Sequence, residues 1–376
     1  MPIIAILAGE PSGDLIASQL MKYLNTRFKN VEYIGIGGPL MSKQGLNSFF
    51  DYGHLGVRGY FQVLRHLPKL LYLRLKLIRY LKKHKPNIFI GIDAPDFNFY
   101  LEKQLKKFGI PTFHYVAPAV WAWRKNRIYT IKKCIDHLFA VFPHEPKLFK
   151  KGKISISYVG HPLANKISLN PNLTLSRKKL HIKNKVRVFA LLPGSRIGEL
   201  RWHMSLMLNT ALLLNKTFSN IIFLMPINNK ENYEYAMQCL SLIPVNNLKL
   251  IIGHSDEVIC SSNFSIVASG TASLEAALYK KPMIVTYRGS VVSYLIWKIV
   301  RLTPFVALPN ILLEKSIVPE LLQQDATPES IANKVIEILN DKVYLQKLSK
   351  EYLLLHKKLK RNTSELIFKK IVKYLK

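Results

Sequence analysis

Two carboxylates, Asp93 and Asp96 in the segment GIDAPDFN (residues 91–98), follow directly on the apolar run Asn87–Ile90. A carboxylate at the end of a buried strand is costly unless something uses its charge. Three uses compete: binding a metal, capping a helix, or moving a proton. Two later segments carry the chemistry of phosphate binding. In ALLPGSRIGEL (190–200), Gly194 and Ser195 let the backbone approach a phosphate, and Arg196 supplies a bidentate partner for it. An ordinary turn would accept the same residues. In VASGTASLEAAL (267–278) a strand ends at Ser269-Gly270 and a helix opens at Thr271. The N–H groups and dipole of that first turn suit a pyrophosphate. Glu275 lies one turn in, where a carboxylate either accepts the hydroxyls of a ribose or merely complements the positive helix end. No P-loop lysine accompanies these loops, which argues against ATP hydrolysis. Together they point to a nucleoside diphosphate.

The glycine segments of the first half, LAGEPSGD (7–14) and GIGGPLM (35–41), lack the G-x-G-x-x-G pattern, so dinucleotide binding is poorly supported. His114 and Trp121, in HYVAPAVWAW, suit either an acceptor pocket or the core. His161, in VGHPL, suits a turn near a domain junction.

Short apolar runs must position these residues. IIAILAG, VEYIGIGG, NIFIGID, IPTFHYV and HLFAVFP alternate with amphipathic stretches, and both of their faces are apolar. That is the pattern of a parallel sheet covered by helices. The rhythm breaks over a polar stretch rich in Asn and Lys, then resumes with VRVFALLPGS, NIIFLMPI, LKLIIG, FSIVASG and PMIVTYR. The expected organisation is α/β with two Rossmann-like domains in tandem. Residues 1–165 form the first, 166–184 a linker, 185–345 the second, and 346–376 basic helices returning toward the first.

The 376 residues are 49% hydrophobic and 21% charged, which excludes a disordered chain and suits two cores. A formal net charge of +32 suggests a polyanionic partner, unless it reflects a general drift toward lysine. Cys134, Cys239 and Cys260 are scattered, without metal-ligand spacing, so a reducing compartment is expected and a disulfide framework is not. The opening MPIIAILAGE reads as a first strand rather than a signal peptide. No run reaches the roughly 18 apolar residues of a spanning helix, and a cytosolic protein is expected.

Taken in order, GEPSGD, GIGGPLM, GIDAPDFN, HYVAPAVWAWR, VGHPL, LLPGSR, SGTASLEAAL and LPN span nearly the whole chain. Together they resemble the lipid-A-disaccharide synthase family, inverting glycosyltransferases of the GT-B architecture, whose two Rossmann-like domains face a cleft. The resemblance implies transfer of 2,3-diacylglucosamine from its UDP derivative to 2,3-diacylglucosamine 1-phosphate, releasing UDP, in lipid A biosynthesis. No cofactor and no metal are implied: the spacing is D-x-x-D rather than the D-x-D of metal-dependent GT-A enzymes. Asp93 matches the family's catalytic aspartate, which takes the proton of the attacking hydroxyl. Asp96 is then expected to cap a helix beginning near Phe97. The resemblance places Gly194, Ser195, Arg196, Ser269, Gly270, Thr271, Glu275, Tyr287, Arg288 and Asn310 around the UDP-sugar. Glu10, Ser12, His114 and Trp121 fall on the acceptor side. His144 stands where the family pattern has another aromatic residue, which puts local packing there in question.

Between Asp51 and Asp93 there is no acidic residue but nine Lys or Arg. Leu67, Leu70, Leu71, Ile78 and Leu81 recur there at helical spacing, so either an ordinary core helix or one lying on an anionic leaflet is expected. With acylated substrates, the expectation is a peripheral protein on the cytoplasmic face of the inner membrane of a Gram-negative bacterium, and a homodimer is compatible with it. Nucleic acid is not expected as a partner, because basic and aromatic residues do not interleave as in an RNA-binding platform. A UDP-sugar epimerase on the same scaffold is the main rival, an RNA-binding protein the lesser one.

Overall fold

The computed structural model describes residues 1–51, 60–118, 120 and 127–375. Among these, two parallel sheets organise the chain. The first contains β1 (Ile3–Ala8), β2 (Glu32–Gly37), β3 (Leu46–Asp51), β4 (Ile88–Ile92), β5 (Thr112–Tyr115), β6 (His137–Ala140) and β7 (Ile156–Tyr158), in the order β3-β2-β1-β4-β5-β6-β7. The second contains β8 (Arg187–Leu192), β9 (Ile221–Ile227), β10 (Leu248–Ile252), β11 (Phe264–Ala268), β12 (Met283–Tyr287) and β13 (Glu320–Leu322), in the order β10-β9-β8-β11-β12-β13. Every residue of β4 and β11 is buried, as strands covered on both faces must be. The α/β class read from the sequence is the one observed.

Strand order decides where ligands can bind. In each sheet the winding reverses beside the first strand, and the loops leaving the two strands there diverge to open a crevice at their carboxyl ends. In the first sheet those strands are β1 and β4, with Ala8 paired to Ile92. In the second they are β8 and β11, with Leu192 paired to Val267.

The chain divides into two compact units, residues 1–165 with 359–376, and residues 166–358. The stretch 166–184, expected to be a linker, belongs to the body of the second unit. Its helix Leu173–Lys179 is capped by Asn172, whose side chain accepts the Leu175 N–H at 2.9 Å. Arg177 of that helix is buried and donates to the Ser261 carbonyl and Asn263. Ile167 and Ile182 are buried with it, anchors that the polar composition of the stretch conceals. Of the segment 346–376 expected to return, only 359–376 joins the first unit, where Phe368 packs edge-on against Tyr23 and Phe28, both at 5.9 Å, while 346–358 belongs to the second.

Helix Tyr60–His84 buries Leu77, Ile78 and Leu81 in one cluster with Phe97, Leu101 and Leu105, and Leu73 is buried as well. Ile78 and Leu81 are therefore core residues, not part of a membrane-facing stripe, while Leu71, Tyr72 and Leu75 are exposed. The side chains of Leu67 and Leu70 lie outside the described residues. Among the described residues, no helix is long and apolar enough to cross a membrane.

Candidate active site

Asp93 leaves β4 in a left-handed conformation, φ 49°, and Ala94 follows at φ 44°. Two consecutive non-glycine residues in this region cost on the order of 1 kcal/mol each or more, so surrounding bonds must hold them. The Asp93 N–H donates to the Tyr115 carbonyl at 2.9 Å, and the Asn98 amide donates to the Asp93 carbonyl at 2.7 Å. The Ala94 carbonyl accepts from Phe97 and Asn98 as the next helix opens. The turn therefore aims a half-buried carboxylate out of the strand end, and among the described residues nothing bonds that carboxylate. The helix begins at Pro95 with Ala94 as its N-cap, so Asp96 is not the cap expected from the sequence. It sits exposed in the first turn, where its charge complements the helix dipole. Its carbonyl accepts from Arg74, whose guanidinium lies over the Phe97 and Tyr100 rings.

Beneath this turn is a buried polar layer. Gly91 is paired with His114 across β4 and β5, and a Cβ at position 91 would collide with the Glu102 carboxylate and crowd Asn98. Asn98 and Glu102, one helical turn apart, thus occupy the space the glycine leaves. Glu102 Oε1 lies 2.7 Å from His114 Nδ1, and both side chains are fully buried. Burial pushes the Glu102 carboxyl up, and His114 partly offsets this. His114 accordingly does not line a pocket, as the sequence allowed: it is a core partner of Glu102, with its ring tilted on Phe99.

Glu10 and Ser12 stand at the end of β1, beside Asp93 at the same switch point. Glu10 is half-buried as the N-cap of helix Pro11–Arg27, and Ser12 is exposed. Gly13 allows that helix to rest on Ala8, 3.2 Å from the position a Cβ would take. Asp14, which the motif contained but the sequence reading passed over, is buried and accepts N–H bonds from Gly38, Leu40 and Met41. It fastens the two glycine loops of this unit together. Trp121 lies outside the described residues. His144 stacks on Phe142, and His161 stacks on its neighbourhood at 5.3 Å from the same ring. The substituted position thus still supplies a ring to local packing. Burial pushes His161 down to about 4; its ring Nδ1 accepts the Leu163 N–H at 3.3 Å and its backbone N–H donates to the Leu359 carbonyl, a structural role.

In the second unit, both predicted loops leave the switch-point strands. Gly194 has φ 111°, and a Cβ there would strike Glu199. The Glu199 carboxylate fills the loop: it accepts the Ser195 N–H at 2.8 Å and the Arg196 N–H at 3.3 Å, and pairs with the Arg196 guanidinium at 3.1 Å. An anion thus already sits where the loop is suited to hold one. Ser195 and Arg196 are exposed.

Gly270 (φ 154°) and Thr271 are exposed at the start of helix Thr271–Leu278, which no side chain caps. Ser269 donates to the Val306 carbonyl, and Ser273 accepts the Leu308 N–H, tying this helix start to the LPN segment. Glu275 is half-buried, and its carboxyl is pushed up to about 7, by burial first and by the Asp256 charge second. Asp256 itself pairs with Lys166 and accepts from the Tyr279 hydroxyl.

Tyr287 is half-buried at the end of β12, and burial raises its hydroxyl. Arg288 follows, and its N–H donates to His203 Nε2 at 3.2 Å while its Nε reaches the Gln323 carbonyl. His203 Nδ1 in turn donates to the Glu199 carbonyl at 2.9 Å. His203, unnoticed in the sequence, therefore joins the phosphate-suited loop to Arg288 in a neutral tautomer, and burial lowers its pKa. Asn310, expected among the donor contacts, is fully buried with its amide fully used. It donates to the Val318 carbonyl and Glu320, and accepts from the Ile317 and Val318 N–H groups. Its side chain shapes the loop and presents nothing to a ligand. Among the described residues, no group of three or more His, Cys, Asp or Glu is placed to hold a metal ion.

A family model described as lipid-A-disaccharide synthetase matches residues 4–372. The lipid-A-disaccharide synthase of Methylobacillus flagellatus is 41% identical over 100% of this chain and 100% of its own length. That of Chromobacterium violaceum is 40% identical over 96% of this chain and 94% of its own. Among solved structures, a UDP-GlcNAc 2-epimerase from Neisseria meningitidis bound to UDP-GlcNAc superimposes with a TM-score of 0.68 at 14% identity, covering 99% of this chain and 100% of that one. The glycotransferase of kitacinnamycin does so at 0.64 and 13%, with full coverage of both chains. Identities this low establish a shared architecture, that of GT-B transferases and related epimerases, and nothing about activity.

Proposed function

The chain belongs to the lipid-A-disaccharide synthase family and is a hexosyltransferase of lipid A biosynthesis using a UDP-sugar and an acceptor, and from that premise we propose how its residues divide the reaction. Asp93 is the general base. It takes the proton from the acceptor hydroxyl as that oxygen attacks C1 of the donor sugar and the bond to UDP breaks on the opposite face, with inversion. The donor is UDP-2,3-diacylglucosamine and the acceptor 2,3-diacylglucosamine 1-phosphate, with Glu10 and Ser12 on the acceptor side. Negative charge accumulates on the departing diphosphate. The uncapped helix start at Gly270-Thr271 and the Arg196 guanidinium receive it, so no metal is needed. Glu199 keeps Arg196 oriented and yields to the incoming phosphate. Glu275 accepts the ribose hydroxyls. Tyr287 and the fastened Arg288 border the same loops, and Asn310 supports them from beneath.

The observation that carries this reading is the Asp93–Ala94 turn, a strained conformation held at a switch point that leaves at the strand end a half-buried carboxylate with no partner among the described residues. Asp93→Asn preserves shape and removes the base. We expect kcat to fall about 10²- to 10⁴-fold, with UDP affinity by calorimetry unchanged; near-normal turnover would remove Asp93 from the chemistry. An epimerase would convert the UDP-sugar without any acceptor, and family membership does not favour it. Incubating donor alone is the check, and a new UDP-sugar in that sample would revive the rival. Because both substrates carry acyl chains, the protein is proposed to work peripherally on the anionic cytoplasmic face of the inner membrane. The exposed Leu71, Tyr72 and Leu75 beside Lys76 and Arg79 support that placement.

A further inference from the structure

Helix Val291–Val300, directly after Arg288 and Gly289, turns an apolar face outward. Val291 and Val292 are 70% and 68% exposed, Leu295 and Ile296 52% and 56%, and Ile299 83%, with Leu302 just beyond at 48%. At about 100° per residue these positions fall within one arc of the helix surface. So many large apolar side chains are not left in water by a protein that has no use for them. The edge of the stripe is cationic: Lys298 is exposed, and Arg301 lies over the Trp297 ring at 5.0 Å. Trp297 stacks on Tyr294 at 5.6 Å, so two amphipathic aromatics flank the apolar arc. Between Glu275 and Glu314 the sequence has no acidic residue, while Lys280, Lys281, Arg288, Lys298 and Arg301 fall there.

We propose that this helix is a lipid-contacting surface of the second unit, with an anionic membrane surface as its occupant. The charge pattern selects that partner. A second copy docking face to face would bring Lys298 and Arg301 of both copies together with no carboxylate between them. A substrate acyl chain needs a concave site to be desolvated, and this is the outer face of a helix. An anionic leaflet satisfies both features, taking the apolar arc below its headgroups and the cations among them. The proposal rests on the membrane reading above and deepens it: the donor-binding unit carries its own lipid contact, independent of helix Tyr60–His84.

The test uses the full chain and the triple variant L295S/I296S/I299S, whose changes lie on the surface, with melting temperature and UDP affinity as folding controls. Sedimentation with vesicles of phosphatidylcholine mixed with phosphatidylglycerol should show the variant partitioning about tenfold more weakly or worse, with UDP affinity unchanged. K298E/R301E should lose binding to these vesicles and keep whatever binding phosphatidylcholine alone supports. Native chain that binds no vesicle would overturn the membrane reading as a whole. Native chain that binds while the triple variant binds equally would overturn this surface alone. A native dimer that the triple variant converts to monomer would assign the face to a second copy and overturn the proposal as well.

Discussion

In the role proposed for it, Glu275 would give the donor site a titration in the working range. With its folded pKa near 7 against an ordinary value of 4.5, the folded protein holds a proton between those limits that the unfolded chain releases. Stability should therefore fall as pH rises from about 4.5 to 7, and melting curves of Glu275→Gln should lack that component. Ribose hydroxyls need the ionised form as acceptor, so UDP should bind more tightly as pH rises through 7 and release a proton on binding. Calorimetry in buffers of different ionisation heat measures this, and a pH-independent affinity would detach Glu275 from the ribose. Asn98 carries a second prediction at this scale. Its amide holds the Asp93 carbonyl, so Asn98→Ala should loosen the turn without touching the donor. A bond of about 1 kcal/mol is at stake, and we expect kcat to drop several-fold with the donor KM unchanged; equal changes in both would mean general unfolding. Asp93 stood out in the sequence because it follows an apolar run directly, and Arg196 and Glu275 because glycine-containing loops separate them from such runs. Glu199 and His203 did not, although Glu199 stands three residues after Arg196 at capping-box spacing. Glu199 meets local partners, Ser195 and Arg196, whereas only folding brings the Arg288 N–H to His203.

Among elements, β4 and helix Pro95–Lys107 are joined by the void at Gly91. Gly91→Ala would drive a methyl group into the Glu102 carboxylate, which is fully buried and held by His114. Overpacking of this kind costs about 1–3 kcal/mol, and chemical denaturation should show a loss in that range, with kcat reduced through the displaced Asn98. Unchanged stability would mean that the Glu102–His114 pair can relocate. The strands themselves were readable because parallel strands are apolar on both faces. Helix starts were less so: Pro95 belongs to the first turn, and the sequence put the start two residues late. The exposed helix Val291–Val300 was missed for the opposite reason. Apolar composition reads as core, and only the folded chain shows which side chains have no cover.

For the whole molecule, the interrupted strand rhythm foreshadows the two sheets, while 166–184 looks like a linker because polar residues surround its few buried ones, Ile167, Arg177 and Ile182. The path of the chain allows a further prediction. Ile367 and Ile371 are fully buried in the first unit by the last segment, and Phe368 packs on Tyr23 and Phe28. Deleting residues 359–376 should cost that unit about 4 kcal/mol from the two isoleucines alone, while the second unit keeps its affinity for UDP. Two separate denaturation steps, the first moved to lower urea, would be the signature; a single unmoved transition would contradict it. The same path sets an order of events on the ribosome. Although the first unit begins the chain, the residues that complete it are made only after the whole of 166–358, a delay of about 10–40 s at ordinary translation rates. Until then Tyr23 and Phe28 have no partner from the chain's end, so the nascent first unit is the one a chaperone or protease meets incomplete.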